Sequence, residues 1–558
     1  MEHVPAFCVE NFGCRATQAD GAALERQFEE RGLAHASAAD ADVVILNTCT
    51  VTAAADQDAR AAIRRVQRQN PNAKIIVTGC YAQRAPEEIA ALPGVTCVVG
   101  NSHKHLLAEI ALPNVFSQWR GNKRFQELHE REDYSQNDHE LGGHDFSRAV
   151  TAAHSPASAA EVSPPDRIGS FVPLTSLASG IREPEAGSRI FVSDIFAHTE
   201  LLAAPVFDLL GDAHDAQRTR PNLKVQDGCD NRCSFCVIPY VRGQSRSLPL
   251  PQILREVNAL VEAGYREVVV SGINLGRWGR DLGESASGFG LPAFGFESSN
   301  TDAAFPEAER RKPEAGFEYL LRAILAETSI EKLRISSVEP MDWTDDLISL
   351  VAESPRIAKH AHVPLQSGSD TVLRRMHRKY RPWHYREKIE KIRAAMPSAA
   401  IGADVMVGFP GETSAEFEAT RRLIEDLPFT YLHVFTYSAR PGTPAADMEN
   451  QVPVHVARER SRILRDLADE KKRAFMRSFV GKPLQAITLG GAQKTAHADG
   501  AVPFTEALTD NYLKLHLKGH HEPNRWLRAT VERVEDGALV AVRESARELP
   551  RESAISAV

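Results

Sequence analysis

The sequence predicts an α/β protein in three parts: an N-terminal doubly wound parallel sheet, a central partial (β/α)6 barrel and a small C-terminal all-β barrel. Three observations lead there. Strand-like apolar runs alternate with helix-forming stretches over the first hundred residues. The same alternation returns between residues 223 and 437, and short alternating segments divided by turn residues occupy 483–542. A chain of 558 residues also exceeds what one hydrophobic core normally supports.

In the first part, residues 5–11, 43–46, 75–77 and 95–99 read as buried parallel strands, because Val43-Val44-Ile45-Leu46 and Ile75-Ile76-Val77 are continuous apolar runs. Residues 17–31 and 53–69 read as the helices between them, closed by Gly32 and by Asn70-Pro71. In the second part strands are expected at 223–226, 268–271, 333–337, 362–365, 401–407 and 432–437. These are six βα units, whose functional groups belong at the carboxyl ends of the strands. Residues 456–479 form a strongly charged helix, and the third part offers strands at 486–489, 512–517, 527–531 and 539–542. The expected domains are therefore 1–112, 219–445 and 481–546, with a connecting helix at 446–480 and a tail at 547–558. Residues 113–218 and 284–314 keep no period and read as inserted loops. His139, His144 and His154 in the first insert are spaced too loosely to suggest a metal site.

Composition narrows the class of function. With 43% hydrophobic and 25% charged residues the chain is neither largely disordered nor fibrous. No apolar run approaches the roughly 20 residues of a membrane span, and the start lacks a signal peptide's basic and apolar regions. A soluble, cytoplasmic protein with no membrane partner is expected. The net charge of −8 announces no nucleic-acid binder. Eight cysteines are too few for a disulfide scaffold at this length, and clusters of them in a reducing compartment point to metal or redox chemistry.

The cysteines fall into three sets. Cys14, Cys49 and Cys80 each stand just past the carboxyl end of a predicted strand, where doubly wound sheets bind ligands. Three thiols brought to one rim could hold a cluster or metal; the alternative is three buried structural cysteines. Cys229, Cys233 and Cys236 form a compact Cys-x3-Cys-x2-Cys run between the strand at 223–226 and a helix near 251–262. A short loop of this spacing grips three corners of a cubane iron–sulfur cluster and leaves one iron open. Structural zinc wants a fourth ligand, and none follows at suitable spacing. Cys8 and Cys97 lie inside predicted strands and read as core.

The compact run, following the first barrel strand, resembles the radical S-adenosylmethionine (SAM) enzymes. Gly13-Cys14-Arg15-Ala16-Thr17-Gln18, Asn47-Thr48-Cys49-Thr50-Val51-Thr52 and Gly79-Cys80-Tyr81-Ala82-Gln83 resemble the N-terminal domain of the methylthiotransferases within that superfamily. Leu223 to Cys229, Ile238 to Gly243, Ile335 to Pro340 and Val363 to Asp370 are most similar to the branch acting on N6-threonylcarbamoyladenosine in tRNA. Thr17 departs from the family's usual Asn, at a position that is not a ligand. Thr509-Asp510-Asn511-Tyr512-Leu513 resembles the core of a TRAM domain, an RNA-binding module that ends chains of this family.

The resemblance implies two 4Fe-4S clusters, a radical SAM cluster on Cys229, Cys233 and Cys236 and an auxiliary cluster on Cys14, Cys49 and Cys80. It implies SAM on the barrel, with Gly272, Asn274, Ser337, Glu339, Gln366 and Asp404 at or near strand ends as its expected contacts. The reaction would methylthiolate carbon 2 of threonylcarbamoyladenosine at position 37, in the tRNA anticodon loop. An electron donor and a sulfur source are implied without being identified. One segment supplies the missing basic signal: residues 374–386 hold six Arg or Lys, no acid, and Tyr380, Trp383 and Tyr385 among them. Arg374, Arg375, Arg378, Lys379 and Arg381, with Tyr512, are the expected RNA contacts; the alternative for the segment is a solvated helix face plus core aromatics. The same chemistry on isopentenyladenosine-37 or a ribosomal-protein aspartate is the nearer alternative reading. A non-catalytic, metal-dependent RNA-binding protein is the more distant one.

Overall fold

The structure is a computed structural model that describes residues 4–112, 189–198, 219–282, 316–490 and 503–544. The continuous apolar runs of the first part form the centre of one parallel sheet. Its strands are β1 (Ala6–Asn11), β2 (Ala34–His35), β3 (Val43–Thr48), β4 (Lys74–Gly79), β5 (Val95–Val99) and β6 (Ile190–Phe191), in the order β2-β1-β3-β4-β5-β6. Val44 and Leu46 pack with Ala59, Ile63 and Val66 of helix Ala53–Gln69, whereas Val43 and Ile45 pack with Leu24 and Phe28 of helix Arg15–Glu29. Alternate residues of one strand thus bury against helices on opposite faces, which makes the sheet doubly wound. Cys97 sits in one of these cores and Cys8 packs against the other. β6 is a finding the sequence did not announce: within the expected insert, Ile190 and Phe191 pair with Val98 and Val99. His139, His144, His154 and residues 284–314 lie outside the described residues.

The second part contributes β7 (Asn222–Asp227), β8 (Arg246–Ser247), β9 (Glu267–Gly272), β10 (Lys332–Ile335), β11 (His360–His362), β12 (Ala400–Val407) and β13 (Tyr431–Thr436). Two sheets, β10-β9-β7-β8 and β11-β12-β13, are joined by parallel bridges Leu333 to Ile357 and Ser337 to His362. The joined series β7-β9-β10-β11-β12-β13 is the six-stranded open barrel, with β8 an added antiparallel edge. β11 falls earlier than the predicted 362–365. Pro364 has no N–H for the ladder, and Gln366 turns to φ 61°, so the pairing becomes irregular there. Val363 and Leu365 still donate to the carbonyls of Gly402 at 2.9 Å and Asp404 at 3.1 Å.

The largest core contains Leu223, Val225, Val268, Val270, Leu333, Ile335, Ala361, Val363, Ile401, Ala403, Val405 and Val434, packed with helix residues such as Ile253, Leu321 and Ile389. The alternate positions, Lys224, Gln226, Ser271, Arg334, His360, His362, Asp404, Tyr431 and His433, must therefore line the opposite, concave face. Gly402 stands there with no side chain because the Tyr431 ring lies across it; a Cβ would come within 1.9 Å of Tyr431 Cζ. Gly402→Ala should cost about 1–3 kcal/mol through overpacking, read as a lowered midpoint in urea or thermal unfolding.

The third part is a closed barrel, β14 (Pro483–Thr488), β15 (Phe504–Thr509), β16 (Lys514–Lys518), β17 (Trp526–Glu535) and β18 (Ala538–Arg543), in the order β14-β15-β16-β18-β17. β15 was not expected, and β16 begins two residues later than the predicted 512. Tyr512 has φ 66° and belongs to a turn in which Leu513 N donates to Thr509 Oγ1 at 2.7 Å. Helix Val454–Arg477 joins the two barrels, burying Ala457, Leu464, Ala468 and Met476 along one side.

Candidate functional site

Cys14 caps the N-terminus of helix Arg15–Glu29, Cys49 directly follows β3, and Cys80 opens the short helix Cys80–Arg84 after β4. The sheet order reverses between β1 and β3, so these loops flank the crevice where such sheets take their ligands. Gly13 makes the close approach possible: its φ is +111°, and a Cβ there would lie 2.4 Å from Cys49 Cβ and 2.9 Å from its Sγ. Burial, and then the neighbouring Cys80 and Cys14, push the Cys49 thiol up to about 12. The fold thus brings the three predicted thiols together.

The compact trio lies in the loop after β7, and the loop is tied down from several sides. Cys229 N donates to Gly243 O at 3.1 Å, while Ser234 donates through N to Met376 O at 3.1 Å and through Oγ to Arg375 O at 2.7 Å. Arg378 Nη1 donates to Cys233 Sγ at 3.3 Å, and Asn231 N to Cys229 Sγ at 3.4 Å. Burial is the first cause raising Cys229 to about 11 and Cys236 to about 12. Thiols so placed stay protonated unless a bound cation stabilises the thiolate, which is what an iron–sulfur cluster provides. Among the described residues, the one group of His, Cys, Asp and Glu whose ligand atoms all lie within 4.8 Å of one another is His362, Asp404 and His433. A tetrahedral zinc site sets its sulfurs only about 3.8 Å apart.

The two trios adjoin. Cys80 packs in one small apolar group with Val237, the neighbour of Cys236, and with Val241. Asn101 Nδ2 lies 3.6 Å from Cys80 Sγ and donates to Val241 O at 2.7 Å. Beside this contact runs a buried ion network that sequence reasoning missed. Asp20 accepts from Lys104 at 3.0 Å, from Arg242 at 2.9 Å and from Lys224; Asp227 accepts from Lys224 at 2.9 Å and, through both carboxylate oxygens, from Arg242 Nη1 at 2.9 and 3.0 Å. Asp20 belongs to the N-terminal sheet domain, whereas Lys224, Asp227 and Arg242 belong to the barrel. Burial alone would raise the Asp20 carboxyl, but Lys104, Lys224 and Arg242 together hold it well below the usual carboxylate range. The available signal was the spacing of Lys224, Gln226 and Asp227 in a strand that is otherwise apolar. A second interdomain link joins Asp56 to Arg440 at 2.6 Å.

The predicted SAM contacts divide by depth. Asn274 Nδ2 lies 3.7 Å from Cys229 Sγ and its N donates to Gln226 Oε1 at 2.7 Å; Glu339 is ion-paired with Arg378. Gly272 closes over Gln226, since a Cβ there would meet the Gln226 side chain at 3.0 Å. Ser337, Gln366 and Asp404 stand on or beside the next residues of the concave face. Ser337 Oγ lies 2.6 Å from His362 Nδ1, and Gln366 pairs by backbone with Asp404 and Met406.

The basic segment divides between buried and exposed residues. Arg378 is only 7% exposed and is held between Cys233, Glu339 and Tyr380, so it supports the cluster loop instead. Tyr380 and Tyr385 are buried, donating to the carbonyls of Leu365 and Val363, each at 2.7 Å. Arg374 and Arg381 pair with Asp370, and Arg375 with Glu416. Lys379 is exposed with no acidic partner among the described residues, and Trp383 is exposed beside it. Tyr512 is also turned inward: its hydroxyl accepts from Arg15 Nη2 at 3.1 Å, and its ring lies 4.5 Å from that of His360.

Comparison with known proteins agrees with this geometry. Residues 6–100 match the family described as Uncharacterized protein family UPF0004, and residues 223–424 match the Radical SAM superfamily. Over 508 residues the chain is 32% identical to the Threonylcarbamoyladenosine tRNA methylthiotransferase MtaB of Bacillus subtilis, spanning 91% of this chain and 89% of that protein. It is 30% identical over 523 residues to MtaB of Aquifex aeolicus, spanning 94% and 99%. It is 29% identical over 536 residues to the tRNA-2-methylthio-N(6)-dimethylallyladenosine synthase of Novosphingobium aromaticivorans, spanning 95% of each. A radical cluster loop on an open barrel, a three-thiol rim on a doubly wound sheet and full-length likeness of this degree settle the matter: the chain belongs to the radical SAM methylthiotransferase family.

Proposed function

We propose that this chain methylthiolates carbon 2 of N6-threonylcarbamoyladenosine at position 37 of tRNA, in the cytoplasm. The observation that carries the reading is the contact between the two trios, Cys80 against the Val237 that follows Cys236, because sulfur insertion into a C–H bond needs radical and sulfur chemistry at one substrate. Cys229, Cys233 and Cys236 hold a 4Fe-4S cluster that, when bound, supplies the electron for reductive cleavage of SAM. Cys14, Cys49 and Cys80 would hold a second cluster that would carry the sulfur, and a further SAM would supply the methyl group. The chain's own work is positioning. Arg378 fixes Glu339 beside Cys233, and Asn274 faces Cys229, so that nucleoside and amino-acid groups of SAM would meet Gly272, Asn274, Ser337, Glu339 and Gln366. Lys379, Arg374, Arg375, Arg381 and the TRAM-like barrel take the RNA backbone at the mouth.

Mass spectrometry of tRNA nucleosides from cells lacking the gene tests this. The 2-methylthio derivative of threonylcarbamoyladenosine should disappear while its precursor accumulates; an unchanged amount overturns the substrate. The second reading, a dimethylallyladenosine substrate, is favoured by the likeness to the Novosphingobium enzyme and would show as loss of that nucleoside's methylthio form. The two-cluster arrangement has its own check. Gly13→Ala forces a Cβ into Cys49, so anaerobic reconstitution should fall from about eight irons per chain to about four, with the radical SAM cluster's electron paramagnetic signal retained.

A further inference from the structure

One polar group on the concave face has no part in holding either trio. His362 is 8% exposed; its Nδ1 meets Ser337 Oγ at 2.6 Å, and its Nε2 has no hydrogen bond, with Asp404 Oδ1 at 3.4 Å. Asp404 Oδ1 also lies 3.2 Å from Nδ1 of His433, whose side chain is 54% exposed. Burial would raise the Asp404 carboxyl, but the two imidazoles hold it low, so it stays ionised. His362 Nε2 and His433 Nδ1 face the same Asp404 oxygen, and a carboxylate accepts through both of its oxygens, so the group can take a further polar ligand.

The position of the group in the lumen indicates what that ligand is. Toward the radical trio lie Glu339 and Asn274, which touch Arg378 and Cys229. On the other side the rings of His362 and His433 lie 5.9 and 5.3 Å from Tyr431, and Tyr431 meets Tyr512, which receives Arg15, the residue after Cys14. The His362–Asp404–His433 group therefore lies on the concave face between Ser337, which meets His362, and Tyr431, which reaches Arg15 through Tyr512. Phe435, exposed and 6.5 Å from the His433 ring, continues the wall as a stacking surface.

We infer that His362, Asp404 and His433 form the receptor for the polar N6 substituent of the target adenosine, an inference that rests on the functional reading above. A threonylcarbamoyl group offers ureido N–H and hydroxyl donors to Asp404 and a carboxylate to the imidazoles. A dimethylallyl group is pure hydrocarbon and would desolvate all three polar groups while offering them no hydrogen bond in return. A site built to hydrogen-bond a substituent rejects its apolar analogue strongly, which makes the group a specificity determinant.

The test compares dissociation constants of the full, reconstituted enzyme for one tRNA with and without threonylcarbamoyl at its modified adenosine, alongside the dimethylallyl form. Wild type should bind the threonylcarbamoyl form about ten- to hundredfold more tightly than either other form, the effect of one or two charge-assisted hydrogen bonds. In His433→Ala and in the isosteric Asp404→Asn that ratio should collapse to within about twofold. A ratio kept intact in both variants overturns the receptor while leaving the functional reading standing. A wild type that prefers the dimethylallyl form overturns the functional reading and the receptor together. Bound metal beyond the clusters' iron, lost in His433→Ala, would make the group a metal site and likewise overturn the assignment.

Discussion

Cys236→Ala should abolish reductive cleavage of SAM, lowering 5′-deoxyadenosine formation with dithionite by at least about a thousandfold, or some 4 kcal/mol of barrier. Cys236 is half-buried beside Cys233, and desolvation pushes its thiol up to about 12, so it stays a thiol unless a metal binds it. Two remaining thiols cannot hold the cubane with one iron free for SAM. Because Cys236 N donates to Cys233 O at 3.1 Å and the loop is fastened through Ser234 to Met376, the alanine variant should keep its fold. Circular dichroism unchanged beside lost turnover would separate ligand loss from unfolding. Reductive cleavage surviving in Cys236→Ala would remove this trio from the radical step.

Asp20→Ala should be the most damaging single change to stability. Asp20 is 2% exposed and receives Lys104, Lys224 and Arg242, so its removal strands Lys104 and leaves Lys224 and Arg242 sharing Asp227 alone in the interface between sheet and barrel. Breaking a buried pair by deleting one partner costs about 3–5 kcal/mol, because the surviving charges lose compensation. Urea denaturation should show this as a loss of the interdomain transition, and Asp20→Ala with Arg242→Met should cost less than the sum of the two. The sign of the pH dependence follows from the lowered Asp20 carboxyl. Its contribution is present above the unfolded carboxylate range, near pH 4, and is lost as the pH falls toward the folded value.

How much of this was legible in the sequence depended on whether local chemistry or tertiary contact decided each feature. The strands at 43–46 and 75–77 were legible because continuous apolar runs suit only a strand covered on both faces. Helix Ala53–Gln69 began and ended where its formers and Asn70-Pro71 placed it. The placing of Cys14, Cys49 and Cys80 just past three strands, and of Cys229, Cys233 and Cys236 in the loop after β7, was legible because spacing and strand-end position are local features. β15 was missed because Thr505 and Glu506 break the apolar pattern, and closure of the barrel, not local propensity, makes that segment a strand. The basic segment misled for a related reason. One-dimensional spacing cannot tell that Arg381 caps helix Pro382–Ala395, turning Tyr385 inward, or that Arg378 is drawn to Cys233. His433 was passed over because an isolated histidine in a strand has no signature until Asp404 and His362 are set beside it.

The turn around Tyr512 bears on which molecule must move. Arg334 donates to the carbonyls of Asp510 at 3.1 Å and Thr509 at 3.3 Å, Lys332 pairs with Asp510, and Asn511 donates to Ser398 O at 3.0 Å. With Arg15 on its hydroxyl, Tyr512 fastens the C-terminal barrel to both other parts at once. A protein bolted at this corner, and again through Asp20 and Asp56, offers its substrate a fixed mould rather than a closing hand. The deformation a tRNA substrate needs to present a base to the concave face would then fall on the nucleic acid, whose nucleotide would have to leave its stack.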